Sequence, residues 1–149
     1  MSAPQNGLPC PLVVDANIVA YRLLSQDEKF SPLVAGLAQK APEWTLPSLW
    51  QHEFANILAT NVRHGRLQPG ESAKIFEIAQ ATFGPVEQAV DLGQALALAN
   101  KLGLTVYDAQ YVLLAEKTGT ALITEDQKLI RRLPRGRALT LEQALSALN

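Results

Sequence analysis

Apolar and polar positions divide the chain into short strands and longer helices. Leu12-Val13-Val14 is an unbroken apolar run that stops at Asp15. A run without a polar face suits a strand covered on both sides, as at the centre of a parallel sheet. Residues 18–24 read as a short helix. A second begins at Ser31-Pro32, with Ser as N-cap and Pro at the first helical position, and Pro42 ends it. Residues 43–46 form a second strand. Ser48 and Gln51 have capping-box spacing, so a helix runs over 48–61. Helices over 69–82, 87–102 and 105–117 follow, with Gly103 and Gly119 as stops. Residues 120–124 make another apolar strand ending at Glu125 and Asp126, a brief helix reaches Arg132, and residues 138–140 and 141–148 are a last strand and helix. Strands alternating with helices predict an α/β fold: one domain with a central, mainly parallel β-sheet flanked by helices, joined by right-handed crossovers.

Four acids stand out against this pattern. Asp15 ends the first strand, where ligands of open α/β sheets bind. Glu53 falls inside the apolar arc of its helix, between Leu49 and Ile57 and beside Trp50, Phe54 and Leu58. A carboxylate there must be paired, protonated, hydrogen-bonded or metal-bound. Asp108 opens a helix three residues after Thr105, and Asp126 follows the late apolar strand. Each also has a structural alternative: Asp15, Asp108 and Asp126 serve as helix caps or first-turn acids, and Glu53 forms a salt bridge. All four together at the carboxyl edge of one sheet make a hard, all-oxygen site suited to Mg²⁺ or Mn²⁺ and to phosphodiester hydrolysis.

Composition narrows the picture further. The 149 residues are 48% hydrophobic and 18% charged, an ordinary balance for one domain. Thirteen basic and fourteen acidic side chains give a net charge of −1, so no global field favours nucleic acid or membrane. The single cysteine, Cys10, excludes an internal disulfide and a cysteine-rich zinc site. Residues 1–11 read as a flexible leader rather than a signal peptide, leaving residues 12–149 as the domain, and no run reaches the ~20 apolar residues of a membrane span. A cytoplasmic protein is expected.

The segments Val13-Val14-Asp15-Ala16-Asn17, Glu53-Phe54-Ala55-Asn56-Ile57-Leu58, Tyr107 to Ala115, and Leu122-Ile123-Thr124-Glu125-Asp126-Gln127-Lys128-Leu129 stand in the order found in PIN-domain nucleases. The chain resembles that family over most of its length, and especially the VapC-type toxins of toxin-antitoxin pairs. The resemblance implies a PIN-like ribonuclease domain whose metal and catalytic residues are Asp15, Glu53, Asp108 and Asp126, supported by Asn17 and Thr124. It implies Mg²⁺ or Mn²⁺ as cofactor, an endoribonuclease reaction leaving a 5′-phosphate, a homodimer, and a VapB-type antitoxin as partner.

RNA must approach past these acids. Lys128, Arg131, Arg132 and Arg135, with Arg137, lie just beyond Asp126, and Arg63, His64 and Arg66 follow the Glu53 helix; phosphate contact by these groups would be salt-dependent. Trp44 and Trp50 read as core or interface residues before they read as base-stacking platforms. Two rival classes remain at this point. One is a catalytically silent PIN-like module that only binds RNA or protein. The other is an aspartyl-phosphate domain built on Asp15, which lacks the usual Lys after a later strand.

Overall fold

The structure is a computed structural model that describes residues 8–149; the expected leader lies, for residues 1–7, outside the described residues. Leu8 is buried against the main core. Strands β1 (Leu12–Val14), β2 (Trp44–Pro47), β3 (Glu87–Gln88), β4 (Leu122–Ile123) and β5 (Ala138–Leu139) form one sheet in the order β3-β2-β1-β4-β5. Every pair in it is parallel. Among the described residues eight α-helices flank the sheet: α1 (Ala16–Leu24), α2 (Phe30–Lys40), α3 (Trp50–Arg63), α4 (Pro69–Phe83), α5 (Leu92–Leu102), α6 (Val106–Thr118), α7 (Gln127–Arg132) and α8 (Leu141–Ala147).

Strand β1 is central and fully buried, and its alternation divides the core. Leu12 and Val14 pack with Ile18, Leu37, Trp50 and Phe54 on one face, while Val13 packs with Tyr111, Val112 and Leu122 on the other. This is the two-residue period of a strand covered on both sides. From β1 the chain moves outward to β2 and β3, then returns to place β4 on the opposite side of β1. The β1/β4 boundary is therefore the topological switch point, where connections diverge and a crevice opens at the carboxyl ends of the strands.

Several local expectations are corrected. Residues 87–91 are not helical: Glu87 and Gln88 pair with β2, and α5 starts only after Asp91, whose carboxylate accepts from the Gln94 amide at 2.9 Å. Ser31 is not the N-cap of α2, because its hydroxyl donates to the Tyr21 carbonyl at 2.8 Å; Asp27 instead accepts from the Lys29 and Phe30 amides. The Ser48/Gln51 capping box does not form. α3 starts at Trp50, which puts Glu53 in its first turn, and the Gln51 side chain donates to Glu87 at 2.8 Å. Gly103 and Gly119 stop their helices as expected, at φ of 70° and 76°, the left-handed region that suits glycine. Trp44 and Trp50 are buried, with indole N–H groups bonded to the Ala41 carbonyl and to Glu87, so neither offers a stacking platform. Among the described residues no helix is long and apolar enough to cross a membrane.

Candidate active site

The switch-point crevice holds a cavity of about 210 Å³, and Asp15, Glu53, Asp108 and Asp126 all line it. Four elements deliver them. Asp15 follows β1 and is the N-cap of α1, its Oδ1 accepting from the Ile18 amide at 3.1 Å. Glu53 comes from the first turn of α3, on the rim of the stripe made by buried Trp50, Phe54 and Leu58. Asp108 comes from the first turn of α6, whose N-cap Thr105 accepts from the Asp108 amide at 3.0 Å. Asp126 caps α7, its Oδ1 accepting from the Lys128 and Leu129 amides at 3.0 and 3.1 Å. The cap readings are thus real for Asp15 and Asp126. The cap of Asp126 uses one carboxylate oxygen and leaves the other for the cavity, whereas both oxygens of Asp15 accept a hydrogen bond and keep a second lone pair each.

Thr124 ties two of these acids together. Fully buried at the end of β4, it donates its hydroxyl to Asp15 Oδ2 at 2.5 Å and accepts from the Asp126 amide at 3.1 Å. Glu125 turns away, accepting from the Leu141 amide at the start of α8 at 2.8 Å. Asn17 lines the cavity and is exposed, and its backbone N–H stabilises the Asp15 carboxylate.

One site residue escapes the sequence reading. Tyr111 lies in α6 with its ring in the core, 2% exposed, and its hydroxyl donates to Glu53 Oε1 at 2.7 Å. An aromatic within the apolar run of residues 109–115 reads as core, and the ring is core; only the hydroxyl reaches the cavity. A polar tip one turn beyond Asp108, on the same helix face, was the available signal.

Electrostatically the site is an uncompensated row of acids. Burial pushes the Asp15 carboxyl up to about 6, with Glu53 adding to the rise and Thr124, Ile18 and Asn17 opposing it. Burial also raises Glu53, with Asp108 adding to it and the Tyr111 hydroxyl opposing. Asp108 is raised by burial and then by Asp126, against the Thr105 hydrogen bond. The Tyr111 phenol is driven far above its ordinary value by burial and by Glu53, so it stays a donor. Among the described residues the only ion pair joins Arg137 to Glu116 at 3.4 Å, so no Lys or Arg neutralises the four acids. The salt-bridge alternative for Glu53 fails.

Among the described residues no group of three or more His, Cys, Asp or Glu side chains is already gathered as a metal site. The donor set nevertheless fits a hard divalent cation: four carboxylates around one cavity, three of them raised by burial and each of those three by an acidic neighbour, none paired with a base.

The basic candidates divide by what they already hold. Lys128, Arg131 and Arg135 are exposed and make no ion pair among the described residues; Arg132 donates to the Gly103 carbonyl, and Arg63 to Thr60 Oγ1 at 3.1 Å. Arg66 and Arg135 line other cavities, and none of the six is in the wall of the acidic one.

A family model described as "PIN domain" matches residues 12–135. The chain belongs to the PIN-domain family. The match runs from β1 through α7, so all four acids of the PIN fold's crevice lie within it. A PIN relative named "Ribonuclease VapC3", from Pyrobaculum aerophilum, is 37% identical over 126 residues, covering 83% of this chain and 95% of its own length. "Exonuclease VapC9" from the same organism is 31% identical over 125 residues, covering 84% of this chain and 87% of its own length. Two solved structures share the fold. PAE2754 from Pyrobaculum aerophilum matches with a TM-score of 0.71 at 23% identity, over 92% of this chain and 95% of that one. A toxin-antitoxin complex from Klebsiella pneumoniae matches with a TM-score of 0.59 at 17% identity, over 87% of this chain and 97% of that one.

Proposed function

We propose that this PIN-domain protein is a metal-dependent endoribonuclease that hydrolyses RNA phosphodiester bonds and acts as the toxin of a toxin-antitoxin pair. The observation that carries the reading is the row Asp15, Glu53, Asp108, Asp126 around one cavity with no basic side chain among the described residues to neutralise it. The names of the VapC relatives and the resemblance to VapC-type toxins support RNA as substrate, an antitoxin as partner and a homodimer as assembly.

Mg²⁺ or Mn²⁺, held by Asp15, Glu53, Asp108 and Asp126, would supply Lewis acidity for activating water and neutralise charge gathering on the phosphate. The chain's own residues do the rest. Thr124 fixes Asp15 and the backbone that carries Asp126, and Tyr111 fixes Glu53, so three of the four carboxylates are oriented from behind. Lys128 and Arg131, on the helix that Asp126 caps, draw the RNA backbone toward an otherwise repelling crevice. Arg63, Arg66, Arg132 and Arg135 serve as outlying phosphate contacts, with Arg132 and Arg63 giving up an internal hydrogen bond to do so.

The test is incubation of linear and covalently closed single-stranded RNA with wild type, Asp15→Asn and Asp108→Asn, in Mn²⁺ or Mg²⁺ and in chelator. The reading expects wild type to open the closed circle only with metal, and both variants to fall at least about 100-fold, as loss of a principal electrostatic group does. Cleavage of linear RNA alone would mark an exonuclease. Equal cleavage by wild type and variants, or none by any, would overturn the assignment, the second outcome favouring a silent binding module.

A further inference from the structure

A second cavity of about 410 Å³ adjoins the acidic one and shares Asn17 and Ile57 with it. That volume lies in the range of small-ligand pockets, roughly 300–1,000 Å³. One wall is α1, where Asn17, Ala20, Tyr21 and Leu24 stand three, four and seven residues apart on a single face. Ile57 and Asn61 of α3 line the other. At the helical rise, Asn17 to Leu24 covers about 10 Å, leading from the acids toward Arg66.

The polar side chains along this groove include donors, in Asn17 and the Tyr21 hydroxyl, and two oriented acceptors. Asn61 is 9% exposed and its Nδ2 donates to the Ile57 carbonyl at 2.9 Å, which fixes the amide and leaves Oδ1 without a donor among the described residues. Gln26 Nε2 donates to the Arg66 carbonyl at 3.2 Å, which joins the two rims and leaves Oε1 free in the same way. Asp27 also lines the groove, its Oδ1 accepting from the Lys29 and Phe30 amides at the head of α2, where the helix N-terminus favours its charge. The Arg66 guanidinium makes no ion pair among the described residues. Apolar walls, two amide acceptors and a cation at the far end form a complement to one nucleotide of single-stranded RNA, whose splayed base is read along its edge.

We propose that this groove holds the nucleotide next to the scissile phosphate, with the base between α1 and α3, its edge on Asn61 and Gln26, and its outer phosphate at Arg66. This rests on the ribonuclease reading. The two carboxamide oxygens of Asn61 and Gln26 favour adenine, cytosine or guanine, whose exocyclic amino group can donate to both, over uracil, whose edge carries one N3–H donor between two carbonyls that would face the same oxygens.

Two measurements test it. Isotope-labelled wild type in chelator is titrated with AMP, CMP, GMP and UMP while the Asn61 and Gln26 side-chain amides are followed by NMR. Both amides should shift, with UMP binding about two- to tenfold more weakly than the others, the worth of one hydrogen bond. Gln26→Ala, an exposed substitution that keeps the fold, and Asn61→Ala should each shrink that gap. In parallel, cut sites are mapped in an RNA pool randomised at every position with Mn²⁺ present, and wild type should avoid uracil on one side of the cut while both variants lose the bias. Amide shifts without cleavage would uphold the nucleotide groove and overturn the ribonuclease reading alone. No response to any nucleotide, or cleavage whose flanking bias is absent or identical in the variants, overturns the proposal. So does an amide response only to a co-expressed antitoxin, which would make the groove a protein-docking surface.

Discussion

Asp15 carries two demands that conflict at neutral pH. Its Oδ1 caps α1 as an anion does, yet its surroundings favour the protonated form and lift its carboxyl to about 6. A carboxyl raised above its unfolded value of 3.8 contributes its stability below about pH 4, and loses that contribution as pH rises through about 6. The metal-free protein should therefore lose up to about 3 kcal/mol of stability between pH 4 and pH 7 from this residue, less whatever solvent in the cavity offsets. Urea unfolding across that range in chelator measures it; Asp15→Asn should flatten the curve, and an unchanged slope would contradict the assignment. Tyr111 invites a different substitution. Tyr111→Phe keeps the buried ring and deletes the hydroxyl that holds Glu53. Mn²⁺ affinity should fall about tenfold, the usual penalty for losing a group behind a metal ligand, while the thermal midpoint without metal moves little. An unchanged Mn²⁺ titration would show that Glu53 needs no such support.

At the level of elements, the site is made by two strand ends and two helix starts. Thr124 is the joint between β1 and β4, buried and bonded to acids on both sides of the switch point. Thr124→Val is nearly isosteric but leaves Asp15 and the Asp126 amide each short of a partner, a cost of about 1–3 kcal/mol in folding. Cleavage should fall further than stability, because Asp15 and Asp126 lose their common anchor; equal kcat in wild type and variant would deny Thr124 that role. The same elements show what the chain reveals unaided. β1 and β4 were legible because burial on both faces demands unbroken apolar runs, and Glu53 because a carboxylate on an apolar stripe contradicts its surroundings. β3 was not, because Glu87-Gln88 is a two-residue edge strand of polar side chains, held by backbone pairing with β2 and leaving no hydrophobic period. The start of α2 was missed because its N-cap is Lys29, which makes no side-chain cap, and the turn before it is held by Asp27, while Ser31 beside Pro32 has the better local signal. A tertiary partner such as Glu87 for Gln51 cannot be read from spacing, and the Tyr111 hydroxyl left only its place one turn beyond Asp108 as a signal.

For the whole molecule, the arrangement sets an acidic crevice into a chain of net charge −1, with its free cations placed beyond it. Binding of RNA should then depend on a few phosphate contacts. Lys128→Ala or Arg131→Ala should each weaken single-stranded RNA binding and reduce the slope of log affinity against log salt by about 0.7. Arg132→Ala should change the slope less, since that guanidinium already serves the Gly103 carbonyl. Fluorescence anisotropy from low to moderate salt distinguishes them, and slopes unaffected by either of the first two substitutions would move the RNA path elsewhere.

Thermal unfolding at neutral pH with and without Mn²⁺ decides whether the four mutually repelling carboxylates take up a divalent cation. A cation bound only by the folded state at 100 times its dissociation constant adds about 2.7 kcal/mol, which for a chain of this size raises the midpoint by roughly 5–10 °C. Wild type should show that rise. Asp15→Asn should start from a higher metal-free midpoint and barely respond. A wild type indifferent to Mn²⁺, or a variant that responds as strongly, would contradict the account.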